Sequence, residues 1–117
     1  MLPAATFHIL LALADDDRHG YAIIQEVAAR TNGEITLSAG TLYRSIQRML
    51  DQGHIAELTM RERPPKDEDD ARRRYYRLTA SGRAVAEAET NRLADLLRLA
   101  RASGFTAAPR LRSGSKA

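Results

Sequence analysis

The chain has 117 residues, enough for one domain with a modest core. Hydrophobic residues make up 44% and charged ones 28%, as in ordinary soluble globular chains, and no apolar run is long enough to span a bilayer. The absence of cysteine excludes disulfides and thiolate chemistry, and the net charge of +3 comes wholly from Arg110, Arg112 and Lys116, beyond Gly104.

Pro3 to Ala14 reads as a first helix, because Phe7, Leu10, Leu11 and Ala14 recur at helical spacing. Leu2, Ile9 and Leu13 add apolar area outside that stripe, so this helix is expected to be buried on more than one side, by its own core or by a second subunit. Asp15, Asp16 and Asp17 break the pattern and can supply caps. A second helix is predicted from His19 or Gly20 to Arg30, with Ile23, Ile24, Val27 and Ala28 inward, and it ends at the turn signal Thr31-Asn32-Gly33. Tyr21 reads as a core or helix-packing residue rather than a ligand-binding one.

The third helix is the most strongly signalled. Ser38 is a good N-cap, Leu42, Ile46, Met49 and Leu50 form one buried stripe, and Gly53 suits a left-handed C-terminal turn. Its other face carries Thr41, Arg44, Gln47, Arg48 and Asp51. Such a face fits a helix lying in a DNA major groove, and equally an amphipathic surface helix.

His54 to Arg63 alternates, with one irregular step, and reads as a strand. Pro64 to Ala71 cannot continue it, having two prolines and an acidic run at 67–70. Arg72 to Thr79 is expected to be the returning strand, with Tyr75 and Tyr76 on opposite faces and one of them in the core. Thr79 then caps a long helix to about Ser103, whose Leu93, Leu96, Leu97 and Ala100 form a seam too far out for one small core to cover. A second copy is the simplest partner, since closed twofold dimers dominate oligomers. Gly104 to Ala117 is aperiodic and is expected to be a disordered basic tail.

Three helices, a strand–loop–strand and a long helix amount to a mainly α fold with a small β-hairpin. This is a winged helix-turn-helix over residues 1–79, with a dimerisation helix over 80–103 and the tail over 104–117. The hairpin arginines Arg72, Arg73 and Arg74 would hold phosphate beside the third helix. The alternative is that they neutralise Asp67 to Asp70, since Arg61 to Arg77 holds seven basic and five acidic residues. Tyr43 flanks the third helix and either reaches DNA or packs on the second helix. His8, His19 and His54 fall in separate elements, without the spacing of a metal site, and neither a phosphate loop nor a nucleophile elbow occurs. No catalytic residue, metal or cofactor is therefore expected, and the acidic run reads as a solvated loop.

Taken together, four blocks resemble the PadR family of bacterial transcriptional regulators: His19-Gly20-Tyr21-Ala22-Ile23, Leu37 to Arg44, Gly53-His54-Ile55, and Arg73 to Arg83. The match runs in order over about residues 5 to 100. The resemblance implies a winged helix-turn-helix homodimer that binds an operator and usually represses. It places the family's LYR segment on Leu42, Tyr43 and Arg44, and its wing arginines on Arg72 to Arg74. Ending soon after one helix, the chain is similar to the short type. Some short members bind flat aromatic drugs in a pore lined by a tryptophan, a residue this chain lacks.

The expectation is thus a cytoplasmic, dimeric regulator whose partners are double-stranded DNA and a second copy. Arg44, Gln47 and Arg48 are its base-edge candidates, and Ser38, Thr41, Tyr43 and Arg72 to Arg74 its phosphate holders. Leu2, Ile9, Leu93, Leu96, Leu97 and Ala100 are its dimer contacts. A small hydrophobic effector between the first and last helices would use the same apolar excess that dimer packing accounts for. The alternative from another class is a winged helix serving as a protein-interaction module without DNA readout.

Overall fold

The computed structural model describes residues 1–64 and 73–106. The acidic run at 67–70, Arg72 and the basic residues of the tail lie outside the described residues.

Helix α1 (Ala4–Ala12) is shorter than the sequence pattern suggests, because Pro3 caps it from outside and Leu13 ends it. Ile9, Leu10 and Ala12 are fully enclosed. Ile9 is therefore covered by its own chain and offers no surface to a second subunit, which corrects its expected place in a dimer interface.

Helix α2 (Gly20–Arg30) begins on an unexpected cap. The His19 ring accepts at Nδ1 from the Ala22 N–H, 3.1 Å away. The aspartates before it serve other ends: Asp15 lies 3.2 Å from Arg30, and Asp17 lies 2.8 Å from Arg77. The chain leaves α2 through left-handed Asn32 (φ 54°) and Gly33 (φ 82°), residue types that tolerate that region.

Helix α3 (Ala39–Gln52) forms as expected. The Ser38 hydroxyl accepts from the Thr41 N–H at 3.1 Å, and Gly53 closes the helix at φ 80°. Leu42, Ile46 and Met49 are buried, with Ser45 between them. They meet Leu10, Ile23, Val27 and Tyr76 in one continuous core. At about 1.5–3 kcal/mol for each large apolar side chain taken from water, this core holds α3 in place.

The sheet differs from a plain hairpin. It has three antiparallel strands: β1 (Arg18–His19), β2 (Ile55–Glu57) and β3 (Tyr75–Leu78), in the order β1-β3-β2. The register pairs His19 with Tyr75 and Glu57 with Tyr76. Both tyrosines are buried, rather than one. Tyr76 enters the main core, while Tyr75 meets the His19 ring edge-on, with centroids 5.3 Å apart. The first hairpin strand stops at Glu57 instead of reaching Arg63. Met60–Glu62 turns into a 3-10 helix, fastened where the Glu62 carboxylate accepts from the Thr59 N–H at 2.8 Å.

Helix α4 (Ala80–Ala102) starts at its Thr79 cap as expected. Val85 and Ala86 pack on the core, but Leu93, Leu96, Leu97 and Leu99 lie beyond it and are exposed. The helix ends in an ordered turn: Gly104 takes φ 93°, and the Phe105 N–H donates to the Ala100 carbonyl at 2.9 Å. Gly104 and Phe105 thus take part in the turn that closes the helix. Among the described residues, no helix is long and apolar enough to cross a membrane.

Candidate nucleic-acid interface

The outward side of α3 follows directly from its buried stripe. With Leu42, Ile46 and Met49 inward, Gly40, Tyr43, Arg44, Gln47 and Arg48 are left exposed, and Thr41 half-buried. Ser38 stands at the helix start, its hydroxyl 3.1 Å from that of Thr41. The Arg44 guanidinium folds back along the helix, 3.5 Å from the Thr41 hydroxyl. A methyl added at Gly40 would lie 3.3 Å from Arg44 Nη1, so the glycine gives the arginine room to lie close. Gln47 donates to Asp51 at 3.0 Å. Thr41, Arg44, Gln47 and Arg48 therefore share one solvent-facing surface, which displays hydrogen-bond donors in a row.

A cleft of about 450 Å³ opens along the Tyr43 edge of this surface. His19, Gly20 and Tyr21 line it from the start of α2, and Arg73 and Arg74 from the approach to β3, with Tyr43 and Tyr76 between. The structure thus brings Tyr43, Arg73 and Arg74 together. Tyr43 is half-exposed with its hydroxyl against the Gly20 backbone, where a Cβ would stand only 2.3 Å from it. The Tyr43 ring therefore leans on α2 and stays half in water.

The hairpin arginines are not all equivalent. Arg77 binds Asp17 and Glu62, at 2.8 and 3.3 Å, and is thereby held above its usual pKa, chiefly by the hydrogen bond it donates to Asp17. Glu57 lies between Arg63 (3.7 Å) and Arg74 (3.6 Å). These arginines are matched with acids of the sheet and of the α1–α2 loop. Arg74 is the looser of the Glu57 pair, with 69% of its side chain in solvent against 13% for Arg63. Burial pushes the Tyr76 phenol above its usual pKa, so it is neutral.

Tyr21, expected in the core or against a helix, is 64% exposed. Helical spacing did not reveal this, because Tyr21 stands three residues before Ile24 and seven before Ala28, at the edge of the inward stripe. What exposes it is its place on the first turn of α2, at the mouth of the cleft. Of the expected dimer residues, Leu93, Leu96 and Leu97 are exposed along α4, whereas Leu2 and Ala100 are half-buried. The Glu89 carboxylate beside Leu2 is buried. It accepts from Arg92 Nε at 2.9 Å and from the Leu2 N–H at 3.4 Å, and the Arg92 hydrogen bond holds it below the ordinary carboxylate pKa.

A recognition-type helix behind a helix pair, followed by a small sheet and a long terminal helix, defines a winged helix-turn-helix protein. Residues 9–88 match the model of the transcriptional regulator PadR-like family. The chain belongs to that family of transcriptional regulators. It is 36% identical over 76 residues to an uncharacterised protein of Lysinibacillus sphaericus, a match covering 65% of this chain and 65% of that relative. The fold is similar to that of a PadR family transcription regulator from Clostridium difficile, with TM-score 0.68 and 24% identity over 85% of this chain and 96% of the other. It also resembles Bacillus subtilis PadR, solved in complex with operator DNA, with TM-score 0.62 and 16% identity over 99% of this chain and 55% of that one. At these identities the likeness to the two structures is one of fold.

Proposed function

We propose that this chain is a sequence-specific DNA-binding repressor, acting as a homodimer on a near-palindromic operator. The observation that carries this reading is the solvent-facing row Thr41, Arg44, Gln47 and Arg48 on α3, set beside a cleft lined by Arg73 and Arg74. Arginine and glutamine side chains match the donor and acceptor patterns of guanine and adenine edges in the major groove. In this reading Arg44, Gln47 and Arg48 read bases, while Ser38, Thr41, Tyr43 and the wing arginines Arg72 to Arg74 hold phosphate. The family membership and the operator complex of Bacillus subtilis PadR support it.

The dimer is assigned to α4, where Leu93, Leu96 and Leu97 are 39%, 48% and 45% exposed with no remaining core of their own to cover them. Pairing two such helices around a twofold axis would set two α3 helices about one DNA turn apart, roughly 34 Å.

Selection of bound duplexes from a random library tests the whole reading. A recovered palindrome with fixed half-site spacing supports it. Failure to enrich any sequence, with no gel shift even at low salt, would instead favour a protein-interaction module, since phosphate contacts strengthen as salt falls.

A further inference from the structure

We infer that the cleft between the start of α2 and the approach to β3 is the seat of a DNA backbone phosphate, and that Tyr21 is one of its ligands. This rests on the DNA-binding reading above and adds a contact that reading does not contain.

The clefts that open around the sheet and the α1–α2 loop differ in charge. The cleft on the far side of His19 is lined by Asp16 and Asp17, and another, next to Arg77, by Asp15, Asp16 and Asp17. The Tyr21 cleft has no carboxylate in its lining among the described residues. What lines it instead is three tyrosines, Tyr21, Tyr43 and Tyr76, with His19, Gly20 and two arginines, Arg73 and Arg74. Such a set of donors suits an oxyanion. At about 450 Å³ the cleft also has room for the sugar that accompanies a backbone phosphate.

Its position selects duplex DNA as the source of that oxyanion. Tyr43 belongs both to the cleft and to the edge of the α3 face, so a phosphate seated here lies beside a groove occupied by α3. Tyr21 keeps a large ring 64% exposed on the first turn of α2, where it adds little to the core. Gly20 is what allows Tyr43 to complete the cleft, since a Cβ there would meet the Tyr43 hydroxyl at 2.3 Å. Arg74 can turn to the phosphate without stranding Glu57, because Glu57 keeps Arg63 at 3.7 Å.

The test uses the full chain, the selected operator and a random duplex. Tyr21→Phe removes only a hydroxyl from an exposed ring, so its melting temperature serves as the folding control. The expected result is roughly tenfold weaker binding to both duplexes, as for a lost hydrogen bond to a charged group, with the salt dependence unchanged because no cation is lost. Arg74→Gln lowers the slope of log affinity against log salt by about 0.9.

Replacing single phosphates by neutral methylphosphonate supplies the direct readout. One position in each half-site should weaken the wild type more than it weakens Tyr21→Phe, which keeps only the arginine and Tyr43 contacts to that phosphate. Tyr21→Phe binding within about twofold of wild type, while Arg44→Ala still weakens operator binding, overturns the seat alone. Wild-type protein that binds no duplex overturns the seat together with the DNA-binding reading. Resonance shifts at Tyr21 with a mononucleotide but not with duplex would assign the cleft to a free phosphate ligand and overturn the DNA seat.

Discussion

The Thr79 hydroxyl donates to the Gly53 carbonyl oxygen at 2.7 Å, and so fastens the first turn of α4 to the last turn of α3. The Thr79 hydroxyl oxygen in turn accepts from the Gly82 N–H at 3.0 Å, which makes Thr79 the cap of α4. The Thr79 N–H donates to the His54 carbonyl at 3.2 Å, and His54 Nδ1 lies 3.0 Å from the Ser81 hydroxyl. Gly82 sits so close that an added Cβ would stand 2.0 Å from the His54 carbonyl oxygen. The end of the base-reading candidate and the start of the helix assigned to pairing therefore form one rigid corner.

Two substitutions at this corner should be costly for different reasons. Thr79→Val keeps the shape and loses the cap, and is expected to cost about 1–2 kcal/mol of unfolding free energy. Gly82→Ala forces backbone against backbone, where no side chain can swing away, and is expected to cost about 1–3 kcal/mol or more. Urea titration of both variants measures this, and a neutral result for Gly82→Ala would mean that the corner yields easily.

How much of this was legible in the sequence depended on how local each signal is. Ser38, the stripe Leu42–Ile46–Met49 and Gly53 are all set by neighbours within a turn or two, so α3 could be read almost residue by residue. The α4 cap at Thr79 was readable for the same reason. The two-residue strand β1 was not, because its only reason to exist is Tyr75 and Tyr76, more than fifty residues away. That distant pairing also decided the fate of Tyr75, since it sets the His19 ring edge-on against it, with centroids 5.3 Å apart. At the candidate site, the α3 face followed from the helical period. The cleft required knowing that the approach to β3 returns beside the start of α2.

Arg44 and the wing-base arginines should separate in DNA binding. Arg44→Ala is expected to cost about 1–3 kcal/mol on the selected operator and to relax the preference at one base position, with little change on random duplex. Arg73→Gln should weaken binding to both duplexes alike and flatten the salt dependence. Fluorescence anisotropy with both duplexes at several salt concentrations distinguishes the two. Equal losses for Arg44→Ala on both would make it a phosphate contact.

Acid should loosen the tie between the N-terminal segment and α4. The Glu89 carboxylate titrates below its ordinary value, mainly because Arg92 donates to it and also because the Leu2 N–H does. A depressed carboxylate contributes stability that is fully present above its unfolded pKa, ordinarily about 4.3, and is lost as pH falls through the folded one. Glu62, held down by the Thr59 N–H, acts in the same direction. Thermal melts across this acid range should show a smaller loss for Glu89→Gln than for wild type, and the two curves should differ most at neutral pH. Parallel curves would assign the acid limb to other groups.

The boundary between core and pairing surface can be tested with two kinds of substitution. Ile9 is completely enclosed within its own chain, so Ile9→Ala should open a cavity and cost about 2–5 kcal/mol of stability. Leu93 and Leu97 lie one turn apart on α4 and are 39% and 45% exposed. Changing both to Glu should leave the fold of each protomer intact, because neither belongs to the core. It should yield monomers in sedimentation, since two charges on each helix would be buried against a copy carrying the same two. Operator binding should then fall steeply, as each half-site is held alone. Leu93→Glu/Leu97→Glu protein that still sediments as a dimer would move the pairing surface elsewhere on the chain.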